Sequence, residues 1–305
     1  MIFLVDVLLL GCGGNLPTPD RSLTALLLNI KGRKILIDCG EGTQVSMKIV
    51  GTGFKSIDII CLTHFHGDHV IGLPGLLLTI ANSGRQEPLT IIGPIGLKEV
   101  ILGLSVLFPV LPYEINLIET DEDGETFNFE DFIIYTSSLE HTTFCNGYSF
   151  YIKRKRRFDP IKATKNKVPK ILWNKLQNEK EVFFNEIYYS NEMVLGEERK
   201  GLKICYATDT RPCTNLETLS KDSDLFICEG MYGDNSYLEK ALSNKHMLFS
   251  EAAHLAKSVN VKELWLTHFS PSMINPEEYL YIAKDIFPNT ILGEDRIKKT
   301  LQFED

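Results

Sequence analysis

Residues 62–69 read LTHFHGDH, placing three histidines and an aspartate within six positions. His64 and His66 stand two apart in an extended stretch and so face the same way. Gly67 permits a sharp turn, and Asp68 and His69 then fall at the start of a helical pattern, VIGLPGLL. Imidazoles with a carboxylate suit Zn²⁺, and two adjacent ligand pairs exceed what one tetrahedral ion needs. Further donors are spread along the chain: His141 after FIIYTSSLE, Asp209 after LKICYAT, Glu229 after LFIC and His268 after ELWLT. With His141, Asp209 and His268 added, two ions can be filled and can share one carboxylate, a clamp suited to phosphoryl and acyl hydrolysis. His254, within SEAAHLAK, reads as a surface residue of a helix.

The elements that must position these residues are strands. Ten runs, from FLVDVLLLG near the start to ELWLTHF, are apolar and strand-like. Between them lie helical patterns at VIGLPGLLLTIANSG, GLKEVILGLSVLF, SEAAHLAKSVN and NPEEYLYIAKDIF. Apolar strands alternating with helices predict an α/β chain whose sheets are covered on their faces. Each candidate donor stands at the carboxyl end of such a strand, where open α/β sheets place their sites. LTHF recurs at 266–269, which suggests two similar halves with the site across their junction. The stretch ETDEDGETFNFED reads as an acidic, solvated hairpin turn.

The chain has 305 residues, 44% of them hydrophobic, which allows one large α/β domain with an insertion and excludes a disordered chain. The opening MIFLVDVLLLGCGG lacks a basic leader and is interrupted by Asp6, so it reads as a strand. No apolar run reaches the roughly 20 residues of a membrane span. Seven scattered cysteines without a CxxC pair suit free thiols in a reducing cytoplasm. The formal charge of −8 argues against a general nucleic-acid coat. Residues 151–180 nevertheless carry eleven lysines and arginines against Asp159 and Glu179, a net +9 that leaves −17 elsewhere. Residues 153–200 lack strong periodicity, contain Pro160 and Pro169, and read as an arm or subdomain inserted in a single 1–305 domain.

HFHGDH resembles the HxHxDH signature of the metallo-β-lactamase superfamily, and within it the chain resembles the ribonuclease Z family, endonucleases that trim the 3′ end of precursor tRNA. ILIDCGEGTQ, THFHGDHVIGLPGLL, SLEHTTFCNGY, YATDTRPC and LTHFSPS each resemble one of that family's motifs, over nearly the whole chain. The resemblance implies a four-layer αββα sandwich of two mixed sheets with outer helices. It also implies two Zn²⁺ per chain, with Mn²⁺ or Co²⁺ as substitutes. His64, His66 and His141 would take one ion, Asp68, His69 and His268 the other, with Asp209 bridging and Asp38 orienting the metal loop from behind. Asp68 would position the attacking water, and His246 held by Glu229 would protonate the departing ribose oxygen. Lys153, Arg154, Lys155, Arg156, Arg157 and Arg21 become candidate RNA contacts, since RNA is gripped chiefly through its phosphates.

A homodimer in which one subunit's arm serves the other's site is implied as well. Several positions depart from the family pattern. PTPDRS (17–22) stands where PxKxRN is common, CEGM replaces HEAT, and His246-Met247-Leu248 replaces HST. The arm's glycine-proline motif is absent, with VPKILW near its place. The competing readings are another hydrolase of the superfamily (small phosphodiesterase, thioesterase or lactonase) and a non-catalytic, metal-containing RNA-binding protein.

Overall fold

The computed structural model describes residues 4–108 and 110–304. The opening strand is present from Leu4, and the first three residues of that run lie outside the described residues. β1 (Leu4–Gly11), β2 (Ala25–Ile30), β3 (Arg33–Ile37), β4 (Ile57–Cys61), β5 (Leu89–Pro94) and β6 (Ile115–Thr120) lie in chain order in one sheet. β1–β2–β3 pair antiparallel, whereas β3–β4–β5–β6 pair parallel. The second sheet starts with β7 (Thr126–Asn128), β8 (Phe132–Leu139) and β9 (Cys145–Arg154). After the insert with β10 (Glu181–Phe184) and β11 (Ile187–Ser190), it resumes with β12 (Arg199–Ala207), β13 (Leu225–Glu229), β14 (Leu264–Thr267) and β15 (Thr290–Leu292), all four parallel. β16 (Lys298–Gln302) closes the free edge of β1.

Helices cover both sheets. α1 (Thr43–Val50), the single-turn α2 (Gly67–Val70), α3 (Leu73–Asn82) and α4 (Leu97–Leu104) belong to the first. Met47, Leu73, Leu76, Leu77, Ile80, Leu97 and Ile101 pack there on Leu8, Leu27, Leu36 and Ile60. The VIGLPGLLLTIANSG pattern is therefore two helices. Gly72 approaches the Cys39 and Gly40 carbonyls, and Pro74 sits in the first turn of α3, where a missing N–H is tolerated. In the insert, α5 (Pro160–Lys165) and α6 (Trp173–Leu176) precede β10. On the second sheet α7 (Thr214–Ser220) packs on β8, α9 (Phe249–Ser258) on β13 and β14, and α10 (Leu280–Ile286) on α9 and β15, with α8 (Leu238–Asn244) leading into α9. The inner faces meet through apolar side chains and a few buried polar bonds. Tyr148 donates its hydroxyl hydrogen to the Leu62 carbonyl at 2.7 Å, and the Thr24 and Tyr206 hydroxyls share a bond of 2.8 Å. The α/β reading with two mixed sheets and outer helices holds.

The acidic stretch 119–131 does not form one hairpin. Its first residues end β6, and Thr126–Asn128 begin the second sheet as β7, so it carries the chain between sheets. Ile152–Gly201 form a second compact unit with its own apolar cluster of Ala163, Val168, Leu172, Leu176, Val182, Tyr189, Val194 and Leu195. All seven cysteines are unbridged and six are buried. Among the described residues no helix is long and apolar enough to cross a membrane.

Candidate metal centre

Two loops carry the LTHF echo, one from each sheet. β4 ends at Cys61, and the Leu62 N–H still donates to Ile92 of β5 before the chain breaks away at Thr63. The Thr63 carbonyl accepts from the Asn146 N–H of β9, which ties the first loop to the second sheet. His66 caps α2, so Asp68 and His69 ride on a single helical turn. Gly40 leaves room for that turn, since a Cβ there would lie 2.4 Å from the Asp68 carbonyl oxygen. Across the site, β12 delivers Asp209 and β14 delivers His268. Asp38, Asp209 and His268 have φ of 57°, 52° and 58°. Left-handed conformations at non-glycine residues cost energy and cluster at functional sites.

The geometry converges on Asp209. Its Oδ2 faces His64 Nε2 at 3.7 Å and His141 Nε2 at 3.6 Å, while its Oδ1 faces His69 Nε2 at 3.2 Å and His268 Nε2 at 3.0 Å. Asp68 Oδ2 lies 3.6 Å from His69 Nε2 and 3.4 Å from His268 Nε2. His66 Nδ1 stands 3.5 Å from His141 Nε2. Two donor groups result, His64–His66–His141–Asp209 and Asp68–His69–His268, each with donor atoms within 4.8 Å of one another. A third grouping, Asp209–His246–His268, overlaps them.

The Nδ1 atoms of His64, His69 and His141 are held from behind. His69 Nδ1 donates to Asp38 Oδ2 at 2.9 Å, His141 Nδ1 to the Lys245 carbonyl at 3.3 Å, and His64 Nδ1 bonds the Thr63 hydroxyl at 3.1 Å. Asp38 is itself fixed by the Thr63 N–H at 2.8 Å and hydroxyl at 3.0 Å. Such partners set the tautomer and aim Nε2 at the site. His64 Nε2, His69 Nε2, His268 Nε2 and Asp209 Oδ1 are buried with no hydrogen-bond partner. Buried polar atoms left unsatisfied cost about 1–3 kcal/mol each. A divalent cation in each donor group satisfies them, so the residues fit a metal.

Burial and opposite charges act against one another across the cluster. Burial and the nearby His69 push His64 well below its ordinary pKa, toward the neutral form that binds metal. Burial acts the same way on His69, but Asp209 and Asp38 outweigh it and raise the ring well above its ordinary value. Burial favours a protonated Asp209, yet His268, His69 and His64 hold it well below the usual carboxylate range.

Beside this cluster lies a second pair. Glu229, the last residue of β13 and fully buried, accepts from His246 Nδ1 at 3.1 Å, from the Met247 N–H at 3.0 Å and from the Thr210 N–H. Burial lowers the His246 pKa, but the Glu229 charge and hydrogen bond overcome it and raise the ring to about 9. His254 is exposed on α9 and belongs to none of these donor groups.

The basic candidates divide. Lys155 and Arg157 are exposed, while Lys153, Arg154 and Arg156 are half-buried. Arg156 spends its guanidinium on the Gly196 and Leu195 carbonyls and on Glu192. Arg21 donates to the Met273 and Ile274 carbonyls and lies 6.0 Å over Phe269.

Sequence reasoning missed several contributors. The Asn15 N–H donates to Asp68 Oδ2 at 2.7 Å, and Gly14 lies flat against His268, where a Cβ would meet Cε1 at 2.7 Å. The GCGG run was the signal for this close approach, and Thr63 was signalled by the echo. Gly14→Ala should displace the His268 ring and weaken divalent-metal affinity by about 10–100-fold. Metal titration of the variant checks this, and unchanged affinity would contradict it.

A family model described as Anti-Pycsar protein Apyc1 matches residues 5–102, the third of the chain that includes HFHGDH. The chain is 57% identical to a ribonuclease Z of Clostridium acetobutylicum over 99% of both proteins. It is 54% identical to that of Clostridioides difficile, over 99% of this chain and 100% of the relative. Among solved structures it is similar to the short form of human tRNase Z, with a TM-score of 0.71 and 26% identity over 96% of this chain and 98% of that one. The metallo-β-lactamase fold protein YhfI of Bacillus subtilis superposes with a TM-score of 0.70 at 18% identity, covering 98% and 100% of the two chains. The full-length identity to these relatives and the metal centre at the junction of the two sheets together establish that the chain belongs to the ribonuclease Z family, metal-dependent endoribonucleases on the metallo-β-lactamase fold.

Proposed function

We propose that the protein removes the 3′ trailer of precursor tRNA in the cytoplasm, holding two Zn²⁺ per chain. The observation that carries this reading is the division of one carboxylate between two donor groups, Asp209 Oδ2 toward His64 and His141 and Oδ1 toward His69 and His268. His64, His66 and His141 would hold one ion, Asp68, His69 and His268 the other, and Asp209 both; Mn²⁺ or Co²⁺ could replace zinc. Bound there, the ions supply Lewis-acid charge and an acidified water.

The chain's own residues do the rest. Asp68, oriented by the Asn15 N–H, positions the water that attacks phosphorus and accepts its proton. The phosphorus–O3′ bond breaks, and the departing 3′ oxygen takes a proton from His246, leaving a 3′-hydroxyl on the tRNA and a 5′-phosphate on the trailer. His246 is paired through Nδ1 with the buried Glu229 carboxylate, and the raised pKa that results suits a proton donor.

Residues 153–200 serve as a tRNA-binding insert in the single 1–305 domain. Lys155 and Arg157 are exposed, as are Lys165, Lys167, Lys170, Lys175 and Lys180 farther along the insert, and Lys153, Arg154 and Arg156 are half-buried. In a homodimer this insert would serve the partner's active site. Arg21, engaged with carbonyls of its own chain, would order the loop that carries Asn15 as well as meet RNA.

Two assays test the reading. Metal-loaded protein should cleave a 3′-extended precursor tRNA at the mature end and hydrolyse a nitrophenyl phosphodiester more weakly. Robust diester hydrolysis without tRNA cleavage would favour a small-molecule hydrolase. The pH profile tests the acid. His246 must be protonated to act, so cleavage should fall as pH rises through about 9. Glu229→Gln removes the charge that raises His246, and the basic limb should move down by roughly two pH units, toward the ordinary histidine value. An unmoved limb would contradict the pairing.

A further inference from the structure

Arg211 lies two residues beyond Asp209, and its side chain is 10% exposed. One amino group donates to the His246 carbonyl at 2.5 Å and to Glu251 Oε2 at 2.7 Å, and the other binds Glu251 Oε1. Glu251 in turn accepts from the Leu248 N–H at 2.9 Å at the start of α9. The Arg211 N–H donates to the Glu140 carbonyl at 2.9 Å, beside His141.

The segment 245–248 is therefore held one residue at a time. The Lys245 carbonyl receives His141, the His246 carbonyl receives Arg211, the Met247 N–H meets Glu229, and the Leu248 N–H meets Glu251. Lys245 has φ of 59°, a left-handed conformation that neighbouring bonds must maintain. A buried ion pair adds little net stability over apolar residues of the same size. What a guanidinium fork adds is direction, through charge-assisted bonds in one plane.

We propose that Arg211, locked to Glu251, is a positioning residue that aims the His246 imidazole at the leaving oxygen by fixing the His246 backbone. The proposal rests on His246 being the leaving-group acid. Arg211 touches none of the reacting atoms and acts through the strap alone. Its loss should matter only where the leaving group needs a proton. A ribose 3′ oxygen needs one, whereas a nitrophenolate leaves unaided.

The test uses the full metal-loaded chain with Arg211→Lys, which keeps the charge and loses the fork, and Glu251→Gln, which keeps the shape and loses the charge. Each should lower kcat on precursor tRNA by about tenfold or more with KM unchanged, and nitrophenyl diester hydrolysis by less than about threefold. Metal content should stay as in the parent. In a His246→Ala background, Arg211→Lys should cause no further loss, because coupled residues are non-additive.

Parallel losses on both substrates, lost metal, additivity with His246→Ala, or undiminished tRNA cleavage would each overturn the proposal. His246→Ala alone separates the two readings. If it impairs both substrates equally, the acid role fails and the proposal with it. If its loss is selective but that of Arg211→Lys and Glu251→Gln is not, only the positioning role is wrong.

Discussion

Asp68→Ala should reduce cleavage of precursor tRNA on the order of 10³-fold or more in kcat while the fold persists. The carboxylate is nearly buried, at 9% exposure, and stands 3.4 Å from His268 and 3.6 Å from His69. It is proposed to hold a metal and to guide the attacking water, so two losses fall on one substitution. The structural cost is small by comparison. Asp68 belongs to a polar cleft, and its removal leaves one N–H, that of Asn15, without its acceptor. That costs about 1–3 kcal/mol. Single-turnover cleavage and thermal unfolding of the same preparation separate the two effects. Retention of a tenth of the activity would contradict the role.

Replacing residues 153–200 by a short neutral linker should be severely damaging on tRNA and nearly silent on a small diester. The segment holds none of the donors that surround Asp209, and its apolar cluster is its own. Its cations are proposed to grip the tRNA body, where each phosphate neutralised releases a condensed counterion. The shortened protein should bind tRNA about 100-fold or more weakly, with a shallower slope of log affinity against log salt. Metal content and nitrophenyl diester hydrolysis should remain near the parent values. Intact tRNA cleavage with lost diester hydrolysis would place the segment in the active site.

Much of this was legible in the sequence because it depends on local pattern. All ten apolar runs form strands, since buried strands of covered sheets show their burial as unbroken apolar stretches. The donors stood at strand ends, where the chain turns out of a sheet and exposes side chains to a common edge. Less legible were strands stabilised at an edge. KKTLQ reads as a charged tail, yet it pairs with β1, with Lys298 and Thr300 bonded to Asp6. INLIET is an edge strand that is mostly half-exposed, and TIL is only three residues long. The helical pattern after His69 concealed the break at Gly72, which is imposed by the Cys39 and Gly40 carbonyls from another loop.

Contacts distant in sequence were beyond pattern reading. The bond from Asn15 to Asp68 joins residues 53 apart, and that from Arg211 to Glu251 residues 40 apart. Neither residue type announces its partner. Among the basic residues, the charge run marked Arg156 and the family resemblance marked Arg21 as RNA contacts, whereas both guanidinium groups bind carbonyls of their own chain. Only a folded neighbourhood reveals that a charge is already engaged.

The central claim is that the Asp209-centred site hydrolyses precursor tRNA at its 3′ boundary with the 3′ oxygen as leaving group. Mapping the new ends after cleavage of a 3′-extended precursor by the metal-replete protein tests it most directly. The account predicts a single cut that leaves a free 3′-hydroxyl on the tRNA and a 5′-phosphate on the trailer, and that is absent in Asp209→Ala. A 2′,3′-cyclic or 3′-phosphate end, or no cut by protein carrying its full complement of metal, would contradict it.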